Sequence, residues 1–221
     1  MKEVVLDTET TGISVRDGHR IVEIGCIELE NLVSTKKTFH CYLNPETKVS
    51  EKALEVHGYT DEFLSNQPKF IDVVDKFLDF IDGKRLVIHN AEFDLGHLNN
   101  ELSLLGKTKI QNQVIDTLAL ARDKFPGSSI SLDALCKRYN IDNTKRTKHN
   151  ALIDCDLLAK VYINLLDQKE PRLDFKTDEI LSRDKNESNI LYFKKIINPT
   201  HDELKKHKEY LNNYLKKNYF N

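Results

Sequence analysis

Apolar residues recur along this chain with two different periods, and the order of the periods predicts the architecture. Residues 3–7 hold a short apolar run, Val4-Val5-Leu6, that ends on a carboxylate; residues 21–29 mix apolar residues with glutamates; residues 37–43 alternate through Phe39, Cys41 and Leu43. Such runs are predicted as three strands. The connection from Thr10 to Arg20 contains Gly12, Asp17 and Gly18, turn chemistry that suits a hairpin loop. The period then lengthens: Phe70, Val73, Val74, Phe77, Leu78 and Ile81 fall at helical spacing with Gly83 just beyond, which predicts an amphipathic helix over 70–81. Leu86-Val87-Ile88 is predicted as a buried strand, followed by a helix through Leu95, Leu98, Leu102 and Leu105 that stops at Gly106. Val114-Ile115 predicts a further short strand, and helical patterns recur over 117–124, 131–139 and 150–166.

An antiparallel meander followed by βα units defines an α/β class with a mixed sheet flanked by helices. That order fits a ribonuclease H-like fold. Past residue 168 the pattern weakens, and Lys169-Glu170-Pro171-Arg172 together with the charged run 182–189 reads as linker. The chain is therefore divided into a domain over 1–168, a linker over 169–189 and a C-terminal segment over 190–221. Within that segment Thr200 and Glu203 have the spacing of a capping box, and Leu204, Leu211 and Leu215 give the following helix an apolar stripe. Ile190-Leu191-Tyr192-Phe193 and Ile196-Ile197 form an apolar cluster that so short a tail cannot bury by itself. This favours docking onto another surface, with packing back onto the 1–168 domain as the alternative.

Composition narrows the picture further. Of 221 residues 39% are apolar and 31% charged, which is a globular composition, and the net charge of −2 leaves no basic surplus to hold a phosphate backbone. Any nucleic-acid binding must then be local and assisted by metal. Cys26, Cys41, Cys136 and Cys155 lack CxxC spacing, which argues against a zinc site and for free thiols of a reducing compartment. The N-terminus carries no basic region with a long apolar run, and no stretch reaches the ~18 apolar residues of a membrane span. A cytoplasmic protein is expected.

The candidate chemistry is acidic. Side chains two apart on a strand share a face, so Asp7 and Glu9 point the same way while Thr8 points to the other side. Two such carboxylates repel unless a cation lies between them, and hard oxygen donors suit Mg²⁺ or Mn²⁺; an exposed strand end with two solvated acids is the bland reading. A third acid follows the strand 86–88 through His89-Asn90-Ala91-Glu92-Phe93-Asp94, in the first turn of the next helix, where it also complements the dipole. Spacing alone does not separate Asp94 from Glu92. The fourth element is His149 with Asp154. Five helical residues rotate by about 500°, leaving the side chains about 140° apart, so the two share a site only if His149 lies in the loop before the helix.

Asp7-Thr8-Glu9-Thr10-Thr11-Gly12, Glu23-Ile24-Gly25, Val56-His57-Gly58, His89 to Asp94 and His149 to Asp154 occur in order over about residues 3–166. Together they resemble the DEDD-type exonucleases whose fourth motif carries a histidine, and within them the branch that proofreads for bacterial replicative polymerases. The resemblance implies 3′–5′ removal of mispaired terminal nucleotides as 5′-monophosphates and selects Asp94 over Glu92. It implies two divalent cations, Mg²⁺ or Mn²⁺, with Asp7 bridging, Glu9 and Asp154 completing one site, Asp94 supporting the second and His149 as general base. His57 is similar to the family histidine that lies against the terminal nucleotide. The substrate contacts expected are Asp7, Thr8, Glu9, Thr10, Lys52, His57, Asn90 and Asp154, although Lys52 stands where close relatives are expected to carry an acid. Lys145, Arg146 and Lys148 form a basic cluster that either approaches the DNA backbone or is a solvated loop. The partners implied are a DNA 3′ end, the polymerase alpha subunit on the C-terminal segment, and a small accessory subunit on the nuclease core. A free-standing DNA- or RNA-trimming exonuclease, and a catalytically silent nucleic-acid-binding module, are the alternatives.

Overall fold

The computed structural model describes residues 1–144, 146, 148–167 and 199–214. The chain divides into two compact units, Met1–Asp174 and Phe175–Asn221. In the first, β1 (Lys2–Thr10), β2 (Ile21–Glu30) and β3 (Val33–Tyr42) form the antiparallel meander. β4 (Arg85–Ile88) pairs parallel with the free edge of β1, and β5 (Val114–Asp116) pairs parallel with β4, so the five strands run in the order β3-β2-β1-β4-β5. The acid-bearing strand is central. A short 3₁₀ turn (Val15–Asp17) lies in the β1–β2 connection.

Among the described residues of this unit seven helices follow: α1 (Glu51–His57), α2 (Asp61–Ser65), α3 (Phe70–Ile81), α4 (Ala91–Leu104), α5 (Thr117–Lys124), α6 (Leu132–Arg138) and α7 (Ala151–Leu165). Alternation along β1 divides the core. Val4 and Leu6, with Ile24, Cys26, Leu86 and Ile88, pack beneath α3 and α4 through Phe70, Val74, Phe77, Leu98 and Leu102. Val5, with Ile27, Leu29 and Val87, packs beneath α7 through Cys155, Leu158 and Tyr162. Helices on both faces explain why β1 reads as a continuous apolar run rather than an alternating one.

Two buried carboxylates tie elements that are distant in sequence. Glu3 of β1 accepts from Arg85 at 2.6 Å and from the Tyr162 hydroxyl at 2.9 Å, and Glu101 of α4 takes both arms of Arg20 at 2.6 Å. A third constraint is the closeness of α7 to the sheet. A Cβ added at Gly25 of β2 would lie 2.5 Å from the Ala151 carbonyl carbon, and the Cys155 thiol donates to the Gly25 carbonyl at 3.2 Å. Only glycine admits that approach.

The helix over 70–81 lies where the pattern predicts it, and the remaining periodic helices match to within one residue or a few at their ends. α1 and α2 are additions, and no apolar period marks them. Their starts are set by caps instead: Ser50 Oγ accepts from Ala53 N at 3.3 Å, and Thr60 Oγ1 from Phe63 N at 3.2 Å. β3 begins earlier than residue 37, because its first residues form an exposed polar edge without alternation. In the second unit, α8 (His201–Tyr214) starts at the predicted capping box: Thr200 N donates to Glu203 Oε2 at 2.8 Å and Glu203 N to Thr200 Oγ1 at 3.4 Å. The expected linker 169–189, the cluster 190–197 and Leu215 lie outside the described residues. All four cysteines are free, and among the described residues no helix is long and apolar enough to cross a membrane.

The Gly25 contact predicts that Gly25→Ala costs about 1–3 kcal/mol by overpacking and lowers Tm, while shifting the helix that carries Asp154. Gly96→Ala is the control: a Cβ there meets no heavy atom within 4 Å among the described residues, and a helical Gly→Ala stabilises by about 1 kcal/mol. Equal melting temperatures for the two variants would contradict the close approach.

Candidate active site

β1 delivers Asp7 and Glu9 to the α7 side of the sheet and Thr8 to the α4 side, as strand alternation requires. Thr8 does not point at empty space. Its N–H and hydroxyl both donate to Asp94 Oδ1, at 2.9 and 2.7 Å, and so bring the acid of α4 to the same strand end. The start of α4 is held by Asp116, whose carboxylate accepts from the N–H groups of Asn90 (3.1 Å), Ala91 (3.3 Å) and Leu118 (2.8 Å). Asn90 takes a left-handed conformation with φ 71°, which asparagine tolerates better than most residues, and redirects the chain from β4 into the helix. Burial separates the two candidate acids: Asp94 is 2% exposed, whereas Glu92 is exposed.

Asp154 lies in the first turn of α7. Asn150 caps that helix, its Oδ1 accepting from Ile153 N at 3.0 Å, so His149 stands one residue outside it. The ring therefore folds back over the helix start. His149 Nδ1 lies 3.4 Å from Asp154 Oδ2 and 3.9 Å from Glu9 Oε1. Asp7, Glu9, Asp94, Asp154, His149 and Asn90 line one cleft of 490 Å³. Thr10, Lys52 and His57 line an adjoining cleft of 430 Å³ together with Ile13 and Phe93, and Glu9 borders both. His57 is buried and stacked on Tyr59 with ring centroids 4.8 Å apart; its Nδ1 accepts from Tyr59 N, and its Nε2 has no partner among the described residues. Lys52 is exposed at the rim, and the Thr10 hydroxyl donates to the Gly12 carbonyl at 2.7 Å.

Four carboxylates at this density perturb one another. Desolvation, then repulsion from Asp94, Glu9 and Asp154, holds the Asp7 carboxyl well above the ordinary carboxylate range. Glu9 is pushed up to about 8 by burial and then by Asp154, Glu23 and Asp94. Burial pushes Asp94 up to about 7 against the opposing hydrogen bonds from Thr8. Such a set calls for positive charge, and part of it comes from Arg146. This residue is not part of a solvated basic loop, because only 7% of its side chain is exposed. Its guanidinium reaches Asp154 through Nε at 2.5 Å and Nη2 at 2.8 Å, Asp133 at 2.7 Å, and the Nδ1 of His149 at 2.8 Å. Lys148 is exposed and Lys145 lies outside the described residues. Burial, then Arg146, lowers the His149 pKa against the attraction of Asp154, so the ring is neutral near pH 7 and able to take a proton. One atom each of Glu9, His149 and Asp154 lie within 4.8 Å of one another, close enough to share an ion. The donor set, oxygens with one imidazole, suits a hard divalent cation.

A mixed sheet whose central strand supplies two acids, joined by one acid from the first turn of each of two helices, defines a metal-dependent nuclease of ribonuclease H-like architecture. Residues 4–162, which include every element of the site, match the family model described as Exonuclease. Among solved structures, exonuclease X in complex with 5′ overhanging duplex DNA is 24% identical with a TM-score of 0.61, covering 76% of this chain and 92% of that one. The nuclease domain of 3′hExo, a DEDDh family member bound to rAMP, is 20% identical with a TM-score of 0.66 over 76% of this chain and 92% of that one. The DNA polymerase III subunit epsilon of Rickettsia conorii is 44% identical over 99% of both chains, and that of Escherichia coli is 50% identical over 73% of this chain and 70% of its own. The chain belongs to this exonuclease family, within its group of DNA polymerase III epsilon subunits. It is a 3′–5′ exonuclease of the proofreading type that uses divalent metal ions.

The raised pKa values set the sign of a pH effect. The folded state of the metal-free protein binds more protons than the unfolded chain between the ordinary carboxylate range and the raised values, so stability falls as pH rises through that window. His57, His89, His97 and His149, whose pKa values are lowered mainly by burial, act in the opposite sense, so the carboxylate effect is read as a difference. From about pH 5 to 8 in chelator the Tm of the wild type should fall relative to that of Asp7→Asn, and divalent metal should flatten the wild-type curve. Asp7→Asn should raise Tm in chelator at pH 8; a lowered Tm would contradict the repulsion.

Proposed function

We propose that this chain edits 3′ termini for a replicative DNA polymerase, and that the convergence of Asp7, Glu9, Asp94, Asp154 and His149 on one cleft carries the reaction. Asp7, Glu9, Asp94 and Asp154 would hold two ions, Mg²⁺ or Mn²⁺, with Asp7 between them, Glu9 and Asp154 on one and Asp94 toward the other. When bound, the ions lower the pKa of water and stabilise the leaving oxygen. The protein's own groups do the rest. His149, neutral and half exposed, removes the proton from the attacking water. Thr8 fixes the Asp94 carboxylate through two hydrogen bonds and so presents its other oxygen to the cleft.

The adjoining cleft receives the terminal nucleotide. His57 has a buried free nitrogen there, Ile13 and Phe93 supply apolar surface for a base, and Thr10, Lys52 and Asn90 border the path of the strand. Because Glu9 borders both clefts, the nucleotide bound in one places its phosphate at the other. Hydrolysis then releases a nucleoside 5′-monophosphate.

The relatives are named as subunits of DNA polymerase III, and we assign the same assembly to this chain: residues 1–168 as the nuclease, 169–189 as a linker, and 190–221 as the segment that docks on the polymerase alpha subunit. A small accessory subunit on the nuclease core is part of the same reading. In α8 the exposed Leu204 supports docking through that segment.

Digestion of a 3′-mispaired primer–template, with paired DNA, single-stranded DNA and RNA as controls, tests the function with and without the polymerase subunit. Faster removal of the mispaired end, enhanced by the polymerase, is expected; equal digestion of RNA with no polymerase effect would show a free-standing trimming enzyme. Asp7→Ala and Asp154→Ala should abolish cleavage while the circular dichroism spectrum is kept. His149→Ala should slow cleavage by roughly 10²–10⁴. A chain ending at residue 174 should keep nuclease activity and lose polymerase binding; loss of activity with binding intact would reverse the domain roles.

A further inference from the structure

Glu23 of β2 has no solvent exposure and lines neither cleft, yet four donors from three separate places in the chain converge on its carboxylate. Oε1 faces His40 Nε2 and accepts from Asn150 Nδ2, both at 2.7 Å. Oε2 accepts from the Tyr59 hydroxyl at 2.8 Å and from Ala151 N at 3.0 Å. A carboxylate has about four acceptor positions, and all are used. Three of the four partners belong to the two halves of the active site, and His40 stands outside it on β3. Asn150 and Ala151 begin α7 and immediately follow His149, whereas the Tyr59 ring supports His57 in the nucleotide cleft. Asn150 Nδ2 also donates to the Tyr59 hydroxyl at 3.0 Å, and His149 N donates to the Val56 carbonyl of α1 at 3.2 Å. Glu23 lies opposite Glu9 in the β1–β2 register and on the same face of the sheet, yet outside both clefts.

We propose that Glu23 is a positioning residue that fixes the loop bearing His149 against the wall bearing His57, so that the base and the seat of the terminal nucleotide are held at one separation. The proposal rests on the roles of His149 and His57 given above. An apolar residue at this place would leave four donors, the buried Ala151 N–H among them, without this acceptor. Glutamine keeps the shape, but its amide offers one acceptor oxygen and two donors, so the donors on one side lose their partner. A separation wrong by about an ångström is sufficient to slow a positioned reaction by about 10²-fold.

The full chain is assayed on single-stranded DNA as wild type and as Glu23→Gln, Tyr59→Phe and Asn150→Ser, the last retaining a helix-capping oxygen. Mn²⁺ affinity is measured on each by calorimetry. Glu23→Gln should bind Mn²⁺ within about twofold of wild type, since it supplies no ligand, but lose about tenfold or more in kcat and raise KM. Tyr59→Phe should act chiefly on KM and Asn150→Ser chiefly on kcat. The double variant Glu23→Gln/Asn150→Ser should be no slower than Glu23→Gln alone, as expected for groups that act through one contact. Unchanged kcat and KM in Glu23→Gln with a lowered Tm would overturn the proposal, leaving Glu23 a purely structural group; so would strict additivity in the double variant. If Glu23→Gln fails to fold, the two outer variants decide: a KM effect in one and a kcat effect in the other support the coupling, and wild-type constants in both overturn it. His149→Ala in the same assay separates the two levels of inference. Loss of activity there with full activity in Glu23→Gln rejects this proposal only, and full activity in both rejects the site itself.

Discussion

Mutual repulsion among the acids at the end of β1 is the constraint around which this molecule is arranged. Asp7, Glu9, Asp94 and Asp154 meet where burial has removed most of their hydration, and like charges in that setting stay ionised only against positive charge. No single element could bring them together. β1 supplies two because strand alternation repeats every second residue, and α4 and α7 each supply one from a first turn, where backbone N–H groups partly offset a negative charge. The central position of β1 lets helices approach its end from both faces of the sheet. The fold thus supplies a destabilised acid cluster, held open by covalent chain and core packing, whose free energy falls when cations enter.

Arg146 shows how the protein manages that cluster by its own means. Its guanidinium spans Asp154, Asp133 and His149, giving one of the four acids a permanent counter-charge and lowering the basicity of the histidine beside it. One buried arginine thus grips a carboxylate and, after burial itself, lowers the basicity of the histidine beside it. The same residue illustrates why local sequence is a poor guide to side-chain direction. Beside Lys148 it reads as part of a basic surface loop, and only the approach of α6 and α7, which carry Asp133 and Asp154, turns it inward.

Much of the fold was legible because its elements are long and periodic: the meander, the helix over 70–81 and the βα units all follow from where apolar residues fall. α1 and α2 were not, since five to seven residues give no period and their positions are set by Ser50 and Thr60 capping oxygens. At the site, the shared face of Asp7 and Glu9 follows from spacing, and so does the requirement that His149 lie outside its helix. Asp94 could be separated from Glu92 by spacing in no way; the difference is a pair of hydrogen bonds from Thr8, 86 residues away. The partners of Glu23, a residue visible in the sequence only as part of a strand motif, were hidden for a related reason. They come from β3, the segment after α1 and the start of α7.

The absence of a side chain at Gly25 has a consequence at the level of the genome. Because α7 rests on that bare backbone, the placement of Asp154 depends on a contact that touches neither DNA nor metal. A substitution there would be silent to any search restricted to residues near the substrate. A cell carrying it would remove fewer mispaired ends and accumulate errors, so the inheritance of a packing defect would be read as a mutator.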